Sequence, residues 1–253
     1  MKIQLVRHAT LLLKINNKTI LVDPILSPAG TMDAIPNVYN ANKNPLVDLP
    51  VSVDILTNVN AVLVTHTHMD HFDEAAAQLI PKHIPVFCQP IDKEKIEAKG
   101  FVKVTSIEKS YTWEDITFNR TTGQHGTGKI GKEMGLVSGF VITAHNEPSL
   151  YIAGDTIWCS EVEEALEIYK PQITVVFAGA ARFSEGDPIT MTAQDIHDVC
   201  RKAPNSKIIV VHMETWNHCT LTRLELKDFL KKYSLDRQVY VPDDGESINC
   251  DIF

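Results

Sequence analysis

Apolar residues along this chain fall in short runs separated by turn-forming residues, which predicts many strands rather than a few long amphipathic helices. The opening reads as three strands, over residues 3–6, 11–15 and 19–22. Asn16-Asn17 makes the turn between the second and third, since Asn tolerates the positive φ of a tight hairpin, and Asp23-Pro24 ends the third. Residues 27–60 are rich in Pro, Asn and Asp and lack periodicity. A stretch of that kind reads either as a lid or rim over a site or as a plain surface excursion. Buried strands are expected at Ala61–Val64 and Val86–Cys88, with helices over 74–80 and 92–99, the second stopped by Gly100. Further strands are expected over 102–105, 116–121, 136–143 and 150–153. Ser160 with Glu163 forms a capping-box pattern opening a helix towards Tyr169. Ile173–Phe177 reads as a buried strand, 192–202 as a helix and Lys207–Val211 as a strand, and Thr222 with Glu225 caps a last helix towards Lys231. Strands come first and strand–helix alternation follows, which predicts sheets covered by helices on their outer faces. No repeat, linker or charge block divides the chain, so a single domain over residues 1–253 is expected.

Composition narrows the class without changing that picture. The 253 residues suffice for a large core, and 44% hydrophobic with 22% charged residues is ordinary for a globular protein. No apolar run approaches the ~20 residues that span a bilayer. The N-terminus carries no secretion signal, so a cytoplasmic location is expected. The cysteines are odd in number, scattered and free of Cys-x-x-Cys spacing, which fits reduced thiols. A net charge of −8 with no basic block weighs against a nucleic-acid partner. A small-molecule substrate remains, and homo-oligomerisation is left open.

The chemistry concentrates in Thr65-His66-Thr67-His68-Met69-Asp70-His71-Phe72-Asp73, directly after the apolar run Ala61–Val64. Open α/β sheets place their sites at the C-terminal ends of strands. His66 and His68 are two apart, so an extended backbone points both imidazoles the same way, while Asp70 and His71 follow after a turn and face a second position. Imidazole with carboxylate suits borderline divalent ions, zinc first, with manganese or iron as alternatives. Three more candidates sit just beyond apolar runs: His125 in Gly123-Gln124-His125-Gly126, Asp155 after Tyr151-Ile152-Ala153-Gly154, and His212 after Ile208-Ile209-Val210-Val211. With them, two metal ions can each receive three protein ligands and share one carboxylate.

On these residues the chain resembles the metallo-β-lactamase superfamily, whose hallmark is His-x-His-x-Asp-His followed by a His, an Asp and a final His. The resemblance spans Asp23 to His212. It implies an α/β fold, the αββα sandwich of two mixed β-sheets flanked by helices. It also implies that His66, His68 and His125 hold one divalent ion, Asp70, His71 and His212 a second, and that Asp155 bridges them. Asp23, in Leu21-Val22-Asp23-Pro24, matches the early Asp that orients the metal-binding loop from behind. His8-Ala9-Thr10 and Asp73 look like the branch containing L-ascorbate-6-phosphate lactonase and N-acyl-phosphatidylethanolamine phospholipase D, although Arg7 stands where that branch commonly has Gly. His8 is accordingly placed with Asp23 behind the ligands, with a structural role as the alternative.

The implied activity is metal-assisted hydrolysis by a hydroxide bridging two ions, because such ions lower the pKa of water from ~15.7 towards ~7. Asp70 would ligate and orient the nucleophile, His218 would bind substrate or donate a proton, and Arg182 would contact an anionic group. Lys129 and Lys132 read as solvated, His83, His145 and His197 as surface, and Cys219 as a spectator. The branch resemblance favours a small lactone, ester or phosphorylated sugar acid. Phosphodiester hydrolysis of a nucleotide or lipid head group is the alternative. A non-catalytic metal-binding protein and a di-iron redox protein are further alternatives, the latter disfavoured because no flavin domain fits in this length.

Overall fold

A computed structural model describes residues 1–250; residues 251–253, the last of the expected domain, lie outside the described residues. In chain order the elements are β1 (Lys2–Arg7), β2 (Thr10–Ile15), β3 (Lys18–Val22), α1 (Val53–Thr57), β4 (Ala61–Val64), α2 (Glu74–Leu79) and β5 (Val86–Cys88). A 3-10 turn at Pro90–Asp92 leads into α3 (Lys93–Ala98), followed by β6 (Val104–Ser106), β7 (Ser110–Trp113), β8 (Ile116–Thr122), α4 (Gly128–Met134) and β9 (Ser138–Ala144). The remainder is β10 (Leu150–Ile152), α5 (Ser160–Tyr169), β11 (Ile173–Phe177), α6 (Ala193–Lys202), β12 (Lys207–Val211), α7 (Arg223–Lys232), β13 (Val239–Tyr240) and β14 (Ser247–Asn249).

Two mixed sheets of seven strands result, in the orders β14-β1-β2-β3-β4-β5-β6 and β13-β12-β11-β10-β9-β8-β7. The first is antiparallel through β3 and parallel from β3 to β6. The second is antiparallel from β7 to β10 and parallel from β10 to β13. Strand alternation sorts side chains between layers. Leu5, Leu13, Val22 and Leu63 meet Phe118, Phe140, Val175 and Phe177 in the core between the sheets. The opposite face of the first sheet, Val62, Val64 and Val86 among others, packs on Ala76, Ala77 and Ile96 of α2 and α3. Val176 and Val210 of the second sheet pack on Val162, Ile196, Val199 and Leu226 of α5, α6 and α7. The expected αββα sandwich is therefore the observed one.

Several elements fall outside the sequence expectation. α1 lies within the stretch read as irregular, α4 within the Gly-rich stretch after His125, and β7, β13 and β14 at sheet edges. The expected capping box of α5 is absent: Cys159 is the N-cap without a side-chain bond, and the Ser160 hydroxyl donates to Glu161 instead. Thr222 and Glu225 form the expected box at α7, and Thr192 with Asp195 forms one at α6. The hairpin at Asn16 has the expected positive φ, 50°. Among the described residues no helix is long and apolar enough to cross a membrane.

Candidate metal centre

The wholly apolar, buried β4 ends at Val64, and two pairs of bonds set the loop that follows. The Thr65 amide and hydroxyl donate to Asp23 Oδ1 and Oδ2, each at 2.7 Å. Two residues on, the Thr67 amide and hydroxyl donate to the two oxygens of buried Asp92, at 3.1 and 2.7 Å. With the alternate positions tied down, His66 and His68 turn together, their ring centroids 4.4 Å apart. A turn closed by the His71 amide on the His68 carbonyl (2.9 Å) then carries Asp70 and His71 to the other side. Asp73 ends the loop by capping α2: its Oδ1 accepts from the Ala76 amide and its Oδ2 from the Ser27 amide.

The other donors arrive from strand ends on the same edge of the sandwich. His125 follows β8, Asp155 follows β10, and His212 follows β12. Gly154 lets the chain reach Asp155: its φ is +72°, and a Cβ there would lie 2.4 Å from the Ser138 carbonyl oxygen. His8, Asp23 and His212 also sit at positive φ (54°, 41° and 68°), conformations that cost ~1–3 kcal/mol each and persist where the surroundings hold them.

Three groups of donor atoms converge, each within 4.8 Å of one another: His66, His68 and His125; His8, Asp70, His71 and His212; and His66, His71 and Asp155. Asp155 spans them, with Oδ2 at 3.2 Å from His71 Nε2 and 3.4 Å from His125 Nε2, and Oδ1 at 3.3 Å from His212 Nε2. The structure thus brings together all seven residues read from sequence as ligands. It also puts His8 into the second group rather than behind it, with Nε2 3.4 Å from Asp70 Oδ2 and the ring lying on His212 at 3.6 Å between centroids. Asp23 stands behind, its Oδ2 accepting from His71 Nδ1 at 2.9 Å, which leaves Nε2 facing inward. His125 Nδ1 likewise donates to the Ile189 carbonyl at 2.8 Å. Asp92 was not legible as part of the site, although the alternation of Thr and His in the loop signals that something must hold the threonines.

The donor set fits divalent metal ions. His66 Nε2 and Asp155 Oδ1 are buried and have no hydrogen-bond partner among the described residues. An unsatisfied buried polar atom costs ~1–3 kcal/mol, so two of them converging in one centre point to an ion that satisfies both. Electrostatics agree. Burial opposes charge on His71, yet Asp155, Asp70 and Asp23 together hold it well above the usual histidine value. His212 is pushed up to about 10 against burial, by Asp155, Cys219 and Asp70 acting together. Burial would raise Asp70 and Asp155, but the surrounding imidazoles hold both well below the usual carboxylate range. The pocket is built to stabilise positive charge. Asp23→Asn, which removes the charged acceptor behind His71, is expected to weaken metal affinity by ~10–100-fold. Competition against a calibrated chelator measures this, and unchanged affinity would mean that Asp23 only shapes its turn.

Beside the donors lies a cavity of about 200 Å³, lined by His68, Asp70, His125 and His218 on one side and by Ile35, Met69, Met134, Phe183 and Ile189 on the other. His218 is buried, its Nε2 3.7 Å from Asp70 Oδ2, and burial pushes it down to about 4. Arg182 is not among the lining residues. It is half-buried and its Nη2 donates to the Gly186 carbonyl at 3.1 Å; its neighbour Phe183 faces the cavity instead. Cys219 is not a member of any donor group, and its thiol lies 3.7 Å from His212 Nδ1, on the far side of that ring from the centre.

Comparison with known proteins agrees with this geometry. A profile of the β-lactamase superfamily domain matches residues 18–213. The "UPF0173 protein YddR" of Bacillus subtilis is 41% identical over 251 residues, 98% of this chain and 99% of that protein. A "UPF0173 metal-dependent hydrolase" of Koribacter versatilis is 28% identical over 180 residues, covering 68% of this chain and 74% of the relative. Among solved structures, the isothiocyanate hydrolase from Delia radicum gut bacteria superposes with a TM-score of 0.94 at 36% identity, over 98% of this chain and 99% of that one.

Proposed function

Since this chain belongs to the β-lactamase superfamily and, within it, to the UPF0173 metal-dependent hydrolase family, we propose that it hydrolyses a small uncharged electrophile bearing an apolar group, with isothiocyanates as the first candidates. The observation that carries this reading is the cavity: five apolar side chains face the donors, and no Arg or Lys is among the lining residues. A volume of about 200 Å³ suits a short substrate. The similar structure is that of an isothiocyanate hydrolase, and the R–N=C=S group of that class is neutral, which fits the cavity.

In this reading His66, His68 and His125 hold one divalent ion, Asp70, His71 and His212 a second, and Asp155 both; zinc suits the donors best, with manganese or iron as alternatives. Bound there, the ions would supply a water acidified from ~15.7 towards ~7 and draw electrons from the group under attack. The rest falls to the protein. Ile35, Phe183 and Ile189 hold the apolar substituent, so the electrophilic carbon is presented to the donors and bulk water is excluded. His218, pushed down to about 4 by burial and so neutral at pH 7, offers a hydrogen-bond donor to the heteroatom that gains charge. Addition of water across C=N gives a thiocarbamate, which collapses to an amine and carbonyl sulfide, so atoms balance without a further reactant.

A neutral ester or lactone would use the same machinery and is the second reading, favoured by His8-Ala9-Thr10 and Asp73. Those residues have architectural duties of their own, however: Thr10 Oγ1 donates to the Asp23 carbonyl, and Asp73 caps α2. A phosphorylated sugar acid or phosphodiester is less favoured, because no Arg or Lys lines the cavity and Arg182 Nη2 donates to the Gly186 carbonyl. The test is a panel of alkyl and aryl isothiocyanates, neutral lactones and esters, and their anionic analogues, assayed on metal-reconstituted protein. Turnover of the neutral members, fastest for isothiocyanates, is expected. Faster turnover of an anionic member than of its neutral analogue would overturn the reading.

A further inference from the structure

One side chain outside the donor groups ties the cavity wall to the metal centre. Asn217 precedes His218 in the chain and is 3% exposed. Its Oδ1 accepts from the Ile35 amide (3.1 Å), and its Nδ2 donates back to the Ile35 carbonyl (3.1 Å), the pair of bonds that a neighbouring strand would make. Nδ2 donates a second time to the Asn40 carbonyl (2.7 Å). Oδ1 accepts a second time from Asn44 Nδ2 (2.9 Å), while the Asn217 amide donates to Asn44 Oδ1 (2.9 Å). Every hydrogen-bonding position of a buried amide is used, and all of them face one irregular segment. That segment closes on itself through Met32 and Asn44, whose amides and carbonyls exchange bonds at 2.8 and 2.9 Å. The Leu46 amide adds a bond to the Thr215 carbonyl at 2.7 Å.

We propose that Asn217 is a specificity-determining positioning residue: through both backbone bonds to Ile35 it makes residues 31–46 a fixed wall of the cavity, and so sets the size of the apolar group admitted beside His218. The stretch read from sequence as a lid or rim is on this account a rim. Ile35 has no strand or helix of its own to place it, and Asn217 stands in for the missing partner. Gln would displace the amide by one methylene and Asp would lose both bonds that Nδ2 donates, so neither is equivalent to Asn here.

The proposal rests on the reading of the cavity as the site of an apolar substituent, and the test separates the two. Hydrogen exchange on the full chain should show the Ile35 amide protected in the wild type and exchanging at least about tenfold faster in Asn217→Ala, as expected for loss of a net hydrogen bond. Metal content should not change. Across a series of isothiocyanates with growing substituents, Asn217→Ala should raise KM about tenfold for the smallest and little for the largest, with kcat for the largest retained. Ile35→Ala, which leaves the backbone bonds in place, should give the same shift in size preference with protection kept, and it carries the test if Asn217→Ala does not fold. Unchanged exchange at Ile35, or an equal loss of kcat across the series at constant KM, would overturn the proposal. If the wild type hydrolyses no member of the series, the substrate reading fails, and the exchange measurement alone decides whether Asn217 holds the wall.

Discussion

Asp155→Asn is expected to reduce bound metal by at least one ion per chain and to lower turnover by more than the ~10–100-fold that loss of an outer partner costs. The reason is the position of this carboxylate. One oxygen lies 3.2 Å and 3.4 Å from His71 and His125, and the other lies 3.3 Å from His212, so the group faces members of both donor clusters. It is 1% exposed, and no other carboxylate approaches His125 this closely among the described residues. Two divalent ions in one buried centre repel each other strongly, and a charge placed between them offsets that repulsion better than a charge on either side. The amide keeps the size and loses the charge, so the variant isolates electrostatics from packing. Elemental analysis of metal stoichiometry, with turnover on the preferred substrate, measures the outcome. Full stoichiometry with unchanged turnover would place Asp155 outside the working centre.

Much of the site was legible because metal ligation needs particular side chains, and the strand ends that present them carry an apolar signature. Val64 before the His66 loop, Ile152 before Asp155 and Val211 before His212 each close a buried strand. What stayed hidden depends on tertiary placement. His8 follows a charged residue in a short turn, and only the β1–β2 hairpin brings its ring onto His212. Asp92 is distant in sequence from Thr67, which it holds. Arg182 and Phe183 are neighbours, and which of them faces the cavity is settled by the bond from Arg182 to Gly186 rather than by residue type.

The fold shows the same division. The buried strands were read correctly because both their faces are covered. β14 has one apolar residue, Ile248, and exists because Lys2, Ile3 and Gln4 pair with it. α4 begins on Gly128, has Gly131 inside it and buries no residue, so neither propensity nor periodicity announces it. Gly131 is there for space: a Cβ would meet the Gly126 carbonyl oxygen at 2.4 Å. In α5 the Ser160–Glu163 pattern is real in sequence but misplaced by one residue, since the helix takes Cys159 as its cap.

Metal binding to the metal-free protein is expected to displace protons from one donor group and not from the other. Burial holds His66 and His125 below the usual histidine value, so both are neutral ligands at pH 7. In the second group, burial is outweighed by Asp155 and Asp70, with Asp23 at His71 and Cys219 at His212; His71 lies well above that value, and His212 is near 10. A metal ion needs neutral imidazoles, so filling the second group must expel the protons of His71 and His212. At pH 8 this amounts to as many as two protons, and apparent affinity there should rise about tenfold per pH unit for each proton displaced. Ligation by His66 and His125 should depend little on pH over the same range. Stability follows the same sign. For a group raised from 6.5 to about 10, the contribution to the metal-free protein is complete below 6.5 and is lost as pH rises through 10. Raising the pH from 7 to 10 should therefore lower the Tm of the metal-free protein and leave the loaded protein far less affected, because the ion replaces the protons. Calorimetric titration of zinc at pH 8 in two buffers of different ionisation enthalpy reads the protons released. Equal heats in both buffers for every binding event would show that His71 and His212 bind no proton that a metal must displace, and the charge argued for their group would fall with it.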